Sequence, residues 1–167
     1  MNSEYNGMYT LNWPDVVIGR MATAFIQHEG QTIPAGWFKS IEFTMEKNKT
    51  ELAVMGRPIK LHRSVGATIT GSATMFYCTS LFRKMAAEFA NNGRDLYFDL
   101  VITNTDPTSV LGSQAVLLKN VNADSTILAK VDVDSDDPLD EDMDFTADGF
   151  ELLQSFTHPS VPIDITI

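Results

Sequence analysis

Residues 65–78 alternate apolar and polar side chains over a long run, with Val65, Ala67, Ile69, Ala73, Met75 and Tyr77 on one face and Thr68, Thr70, Ser72 and Thr74 on the other. A period of two marks a strand with one face buried. The run exceeds the usual strand of about five or six residues. It therefore bends at Gly71 or spans something larger than one small sheet. The same period governs residues 37–46, where Trp37, Lys39, Ile41, Phe43 and Met45 alternate with Phe38, Ser40, Glu42, Thr44 and Glu46. Further strands are expected at 20–27, 51–55, 96–103, 113–121, 126–133 and 142–147, with turns at His28-Glu29-Gly30-Gln31, Thr105-Asp106-Pro107 and Asn122-Ala123-Asp124.

One segment breaks the period. In residues 80–91, Leu81, Phe82, Met85, Ala86 and Phe89 recur at three- and four-residue steps, Thr79 or Ser80 can cap the start, and Asn92-Gly93 offers a left-handed stop. Arg83, Lys84 and Glu88 fall on the opposite face. An isolated helix of this length is marginal in water, so Leu81, Phe82, Met85 and Phe89 are expected to pack on a sheet. The predicted fold is mainly β with one flanking helix, a β-sandwich or barrel. At 167 residues and 44% hydrophobic composition, one domain is expected.

Charge is unevenly spread. All 12 basic residues lie between Arg20 and Lys130, while the 22 acidic residues divide equally about residue 131, leaving the first part near +1 and the rest near -11. Such a surface repels duplex phosphates and lacks the counterion-release term, which argues against a role gripping DNA. No run of about 18 apolar residues occurs, and the N-terminal residues lack the basic-then-apolar layout of a signal peptide. A soluble chain made in a cytoplasm is the expectation. With Cys78 alone, neither an internal disulfide nor a multi-cysteine metal site can form.

Catalytic signatures fail one by one. Gly66 and Gly71-Ser72 have the glycine spacing of a phosphate loop, but Ser72 stands where Lys is required, so the segment reads as a glycine-kinked strand. Neither G-x-S-x-G nor H-E-x-x-H occurs, and His28, His62 and His158 are isolated along the chain. Cys78 ends the apolar run Met75-Phe76-Tyr77-Cys78, which points to a buried, inert thiol. Asp132, Asp134 and Asp136 match the first, third and fifth ligand positions of a calcium loop, but Asp137 replaces its Gly and Met143 its bidentate Glu. No metal or cofactor is assigned. The acidic run is then a solvated loop or a strand stripe with Asp140, Asp142 and Asp144 on one face and Met143 and Phe145 toward the core.

Residues 46–63 hold Lys47, Lys49, Arg57, Lys60 and Arg63 among the apolar Leu52, Val54, Met55, Ile59 and Leu61. A solvated basic hairpin is one reading. A long apolar loop in a compact domain usually packs on something, and an acidic segment elsewhere allows head-to-tail association of identical subunits.

Residues 45–80 resemble the PBSX-like tail-tube proteins of contractile-tailed phages and phage-derived bacteriocins. The E-K-N-K-T-E core at 46–51, M-G-R at 55–57, G-x-x-x-x-G-S-A-T-x-F at 66–76 and T-S at 79–80 carry the resemblance. A second block, V-N-A-D-S at 121–125 through D-V-D-S at 132–135 to F-T at 145–146, is similar in order and spacing. Together they cover residues 19–156 as the tail-tube domain, with an N-terminal arm 1–18 and a C-terminal tail 157–167 outside the match.

The resemblance implies a non-enzymatic virion protein whose hexameric rings stack into a hollow tube, with neighbouring subunits completing the sheet edges as a barrel around the lumen. It implies contact between rings through the loop 46–64, hence through Lys47, Lys49, Glu51, Met55, Arg57, Lys60 and Arg63. The implied partners are further copies of the chain, a sheath protein, a tape-measure protein, a baseplate hub and a tail terminator. Phage DNA passes through without specific binding, and no membrane is involved. Synthesis in the bacterial host cytoplasm precedes incorporation into the virion tail. Asp140, Asp142 and Asp144 are a candidate lumen-facing stripe from strand alternation rather than from the resemblance. The alternatives are the tube of a bacteriocin or secretion machine, which differs in cargo, and a monomeric acidic β-sandwich that binds calcium.

Overall fold

The computed structural model describes residues 16–157 together with 4, 5, 8, 9 and 13. The elements run β1 (Glu4–Tyr5), β2 (Met8–Tyr9), a 3-10 turn (Gly19–Met21), β3 (Thr23–His28), β4 (Gln31–Pro34), β5 (Phe38–Leu52), β6 (Leu61–Phe76), α1 (Leu81–Asn92), β7 (Phe98–Thr105), β8 (Ser113–Ala123), β9 (Asp140–Ala147) and β10 (Gly149–Gln154). The chain is mainly β with one helix, as its periodicity predicts. Most of the arm 1–18, and residues 158–167 of the tail with His158, lie outside the described residues.

Two compact units are built from interleaved stretches of chain. One gathers the chain up to Gly36, Leu100–Leu117 and the stretch from Phe150 onward, and the other Trp37–Asp99 with Leu118–Gly149. In the first, β3 and β4 form an antiparallel hairpin from Phe25 opposite Pro34 to His28 opposite Gln31. Glu29 and Gly30 at its tip both have positive φ, 47° and 78°, the two-residue turn whose twist matches the flanking strands. Neighbour order continues from β3 through β7 and β8, with β10 on β8. Ile26, Ala35 and Leu100 are buried there. The turn after β7 is held by Asp106, whose Oδ2 accepts the Ile18 N–H at 3.0 Å and whose Oδ1 accepts Thr108 N–H at 2.9 Å and Thr108 Oγ1–H at 2.6 Å. Those bonds, led by the Thr108 hydroxyl, hold its carboxyl below the ordinary aspartate range.

The second unit orders its strands β5, β6, β9, β8. Its core is aromatic: Phe82 of α1 packs 5.9 Å from Phe98 and 5.8 Å from Phe145, which are 6.2 Å apart and nearly perpendicular. Met75, Val121 and Met143 are also buried. Burial of one such side chain contributes about 1.5–3 kcal/mol. The helix starts where Thr79 Oγ1 accepts the Leu81 N–H at 3.2 Å and stops at Gly93, whose φ of 65° lets its N–H reach the Phe89 carbonyl at 2.9 Å. Only Phe82 of the four stripe residues is fully buried, Leu81 and Met85 are half-buried, and Phe89 is 58% exposed. The expectation that Phe89 packs on the sheet is therefore not met.

Several local expectations change. Residues 126–133 form no strand, although their sequence alternates. Glu51 and Leu52 are the end of β5 rather than a separate strand 51–55. β6 does not bulge at Gly71, which pairs in sequence with Phe43 and Phe145. Glycine is needed there for space, since an added Cβ would sit 2.5 Å from the Phe43 ring. The irregularities lie elsewhere: Lys39 is the extra residue between the Phe38–Met75 and Ser40–Thr74 pairs, and Val65 the extra one between Asn48–Gly66 and Lys49–Ser64.

Candidate assembly surfaces

The first surface is a projecting hairpin arm. β9 pairs β6 only from Ile69 to Phe76, so from Leu61 to Thr68 the sole partner of β6 among the described residues is β5. Every residue from 45 to 68 is exposed. What the sequence presents as the loop 46–64 is thus a two-stranded ribbon whose strand part extends roughly 20 Å, at about 3.3 Å per residue, with only residues 53–60 as its tip. Of the readings open for this segment, the hairpin is the one the structure shows, held by pairing across the tip from Lys49–Ser64 to Leu52–Leu61.

The stacking candidates all lie on this arm. Met55 is fully exposed at the tip, with Ile59 73%, Leu52 61% and Val65 65% exposed. Lys60 Nζ bonds Glu51 Oε2 at 2.5 Å, and His62 stands 3.6 Å from the same carboxylate. Lys47, Lys49, Arg57 and Arg63 make no ion pair among the described residues. The Val65 bulge shifts the phase, so that Arg63 and Leu61 share a face with Thr50 and Leu52 while Ser64 and His62 join Lys49 and Glu51.

A second surface is the polar face of β5, β6 and β9. Its cross-strand rows read Ser40, Thr74, Asp142; then Glu42, Ser72, Asp144; then Thr44, Thr70, Thr146. Thr74 Oγ1 donates to Asp142 at 2.6 Å, and Thr146 Oγ1 to Asp124 at 3.0 Å. The expected alternation holds: Asp142 and Asp144 are exposed, Met143 and Phe145 buried. Asp140 differs, because the Lys39 bulge brings Nζ to its Oδ2 at 2.6 Å and partly neutralises it. The hydroxyl-bearing strands β5 and β6 supply most of the face, a contribution legible in their even positions but overlooked when the acidic stripe is considered alone.

Glu141, next to that stripe, points the other way. It is 1% exposed, bonded through Oε2 to Arg83 Nη1 at 3.0 Å, while its buried Oε1 has no partner. Burial pushes its carboxyl above the ordinary glutamate range, against the pull of Arg83 and Lys130. Arg83 also lies 4.1 Å from the centre of the Tyr77 ring and is half-buried, whereas Lys84 beside it is exposed. Cys78 is exposed, contrary to expectation, because the strand ends at Phe76. Gly66 and Gly71 both lie within β6, away from any helix start. Among the described residues, no group of three or more His, Cys, Asp or Glu side chains is placed to hold a metal ion. Likewise, none of the described helices is long and apolar enough to cross a membrane.

Comparison with known proteins identifies the family. A family described as phage tail tube protein matches residues 9–154. Phage-like element PBSX protein XkdM of Bacillus subtilis strain 168 is 39% identical over 114 residues, covering 68% of this chain and 77% of that protein. The uncharacterized protein YqbM of the same strain is 39% identical over 114 residues, with the same 68% and 77% coverage. In fold, a chain of the six-fold symmetrised anti-feeding prophage baseplate aligns with a TM-score of 0.62 at 10% identity, over 87% of this chain and 97% of that one. A chain of the extended sheath-tube complex of the extracellular contractile injection system PVC aligns with a TM-score of 0.59 at 13% identity, over 79% and 88%. With the family match running through nearly all of the described residues, arm and polar face included, this chain belongs to the phage tail tube protein family.

Proposed function

We propose that the chain is a structural, non-catalytic subunit of the inner tube of a contractile tail, in which six copies close into a ring and rings stack into a conduit for phage DNA. The tube-forming body is residues 19–156, with 1–18 and 157–167 as flanking segments. The hairpin arm carries this reading. A two-stranded ribbon with exposed apolar residues along its length and at its tip is marginal in water unless another surface covers it. A neighbouring ring supplies that cover, through Lys47, Lys49, Glu51, Met55, Arg57, Lys60 and Arg63.

The face bearing Glu42, Asp142 and Asp144 is assigned to the lumen, with Asp140 at its rim. A hydroxyl and carboxylate lining offers no cation for phosphate to displace counterions onto, so DNA passes without adhering. The outer surface meets the sheath, the bore holds the tape-measure protein before ejection, and the tube ends meet the baseplate hub and the terminator. Synthesis takes place in the host cytoplasm, and no cofactor or membrane enters the assembly.

The test is negative-stain electron microscopy of the purified protein at high concentration, wild type beside Arg57→Glu and Lys49→Glu. Shorter or absent tubes are expected from both variants, with urea midpoints of the monomer unchanged because exposed charges contribute about 0–1 kcal/mol to folding. Tubes of wild-type length from both would remove the arm from the stacking role.

A further inference from the structure

We infer that the arm of one copy docks on residues 125–139 of a copy in the adjoining ring, an inference that rests on the stacking reading above and names its receiving surface.

Residues 126–133 read as a strand yet have no strand partner, and among the described residues the backbone of 125–138 makes no hydrogen bond to another backbone group. Three hydrogen bonds tether residues 125–139 to their own unit: Arg83 Nη1 to the Ile127 carbonyl at 3.4 Å, Lys130 Nζ to the Asp140 carbonyl at 2.5 Å and the Tyr77 N–H to the Leu139 carbonyl at 2.8 Å. Three of its apolar side chains remain in solvent, Leu128 at 71% exposed, Val131 at 84% and Val133 at 89%, while Ile127 and Leu139 are half-buried. Within it, the Asp134 N–H turns to Asp132 Oδ1 and the Asp137 N–H to Ser135 Oγ, both at 3.2 Å, local bonds that a ladder would replace. Alternating sequence, a backbone without ladder bonds and the exposed Leu128, Val131 and Val133 together describe a strand waiting for an edge.

The arm has the matching properties. Beyond Thr68, toward the tip, the outer edge of β6 carries no third strand among the described residues. Its charge is also opposite: residues 46–63 hold five basic and two acidic residues, net +3, whereas 125–139 hold Lys130 and four aspartates, net -3. Docking would cover Met55 and Ile59 with Val131 and Val133, and would set Arg57 and Arg63 beside Asp132 and Asp134. Because the two surfaces differ, the contact is head-to-tail, and it repeats from ring to ring without closing on itself.

Four chains test this by charge exchange: wild type, Arg57→Asp with Arg63→Asp, Asp132→Arg with Asp134→Arg, and the chain carrying all four changes. Like charges set face to face oppose association, so each single exchange is expected to lower the sedimenting tube mass by about tenfold or more, and the combined exchange to restore it to within about twofold. Loss in the arm variant with normal tubes from the Asp132→Arg, Asp134→Arg chain would overturn the receiving surface while sparing the stacking role. Loss in both without recovery in the combined chain would overturn the pairing as well. Normal tubes from all four, or none from wild type, would sink the stacking reading itself.

Discussion

Gly71 lies beneath the ring of Phe43, which in turn packs 6.3 Å from Phe145, so the position has room for a hydrogen and not for a methyl group. Gly71→Ala must displace an aromatic ring in a packed row, and the expected cost is about 1–3 kcal/mol, read as a lower urea midpoint of the monomer. Adding Phe43→Leu should recover part of the loss, a coupling that separate sites would not show. Arg83 and Glu141 make the second residue-scale case. Arg83→Met leaves a buried carboxylate without its cation, which costs about 3–5 kcal/mol at neutral pH. The pH dependence follows from the upward shift at Glu141: the folded state holds that proton more tightly than the unfolded chain, so this group adds stability as pH falls through its folded pKa and withdraws it as pH rises. Removing Arg83 raises that pKa further. The deficit of the variant should therefore shrink between pH 7 and pH 5, and a deficit that widens would contradict the assignment. Glu141 was legible in part, since a period of two places it on the side of Met143 and Phe145, but its partner Arg83 stands 58 residues away and nothing local joins them.

At the scale of elements, helix and strand positions were mostly legible, while covering was not. Phe82 and Phe89 are equivalent in the helical stripe of α1, yet one is 1% and the other 58% exposed. Phe82→Ala is expected to cost about 3–5 kcal/mol and Phe89→Ala no more than about 1 kcal/mol, compared by urea denaturation of the monomer. Equal losses would mean that the stripe is buried along its whole length. The strands show the same division. The face occupied by Ile41, Phe43, Ala73 and Met143 follows directly from alternation, whereas the Lys39 and Val65 bulges shift the phase by one residue and redistribute charges between faces. Lys39 gains Asp140 in this way.

On the scale of the whole molecule, the formal charge of -10 is less informative than its partition into a basic arm and an acidic second surface. That partition, the mainly β class, the helix and its caps, and the turn at Glu29-Gly30 were all readable in advance, because period, capping and turn preference are set by neighbours in the chain. Membership of the tail tube family was readable too, since collinear motifs survive in sequence order. The tertiary structure decided which alternating segments become strands and which faces are covered. Residues 126–133 and 140–147 both alternate, but only the second finds a neighbour, β6, with free backbone groups in register. Between a loop and a hairpin at residues 46–64, both open in the sequence, the contact of β5 with β6 across the tip decided for the paired arm. Sequence determines what each segment is able to become; the choice among those states depends on a partner distant in the chain, and the hydrogen bonds that make it exist only once that partner has arrived.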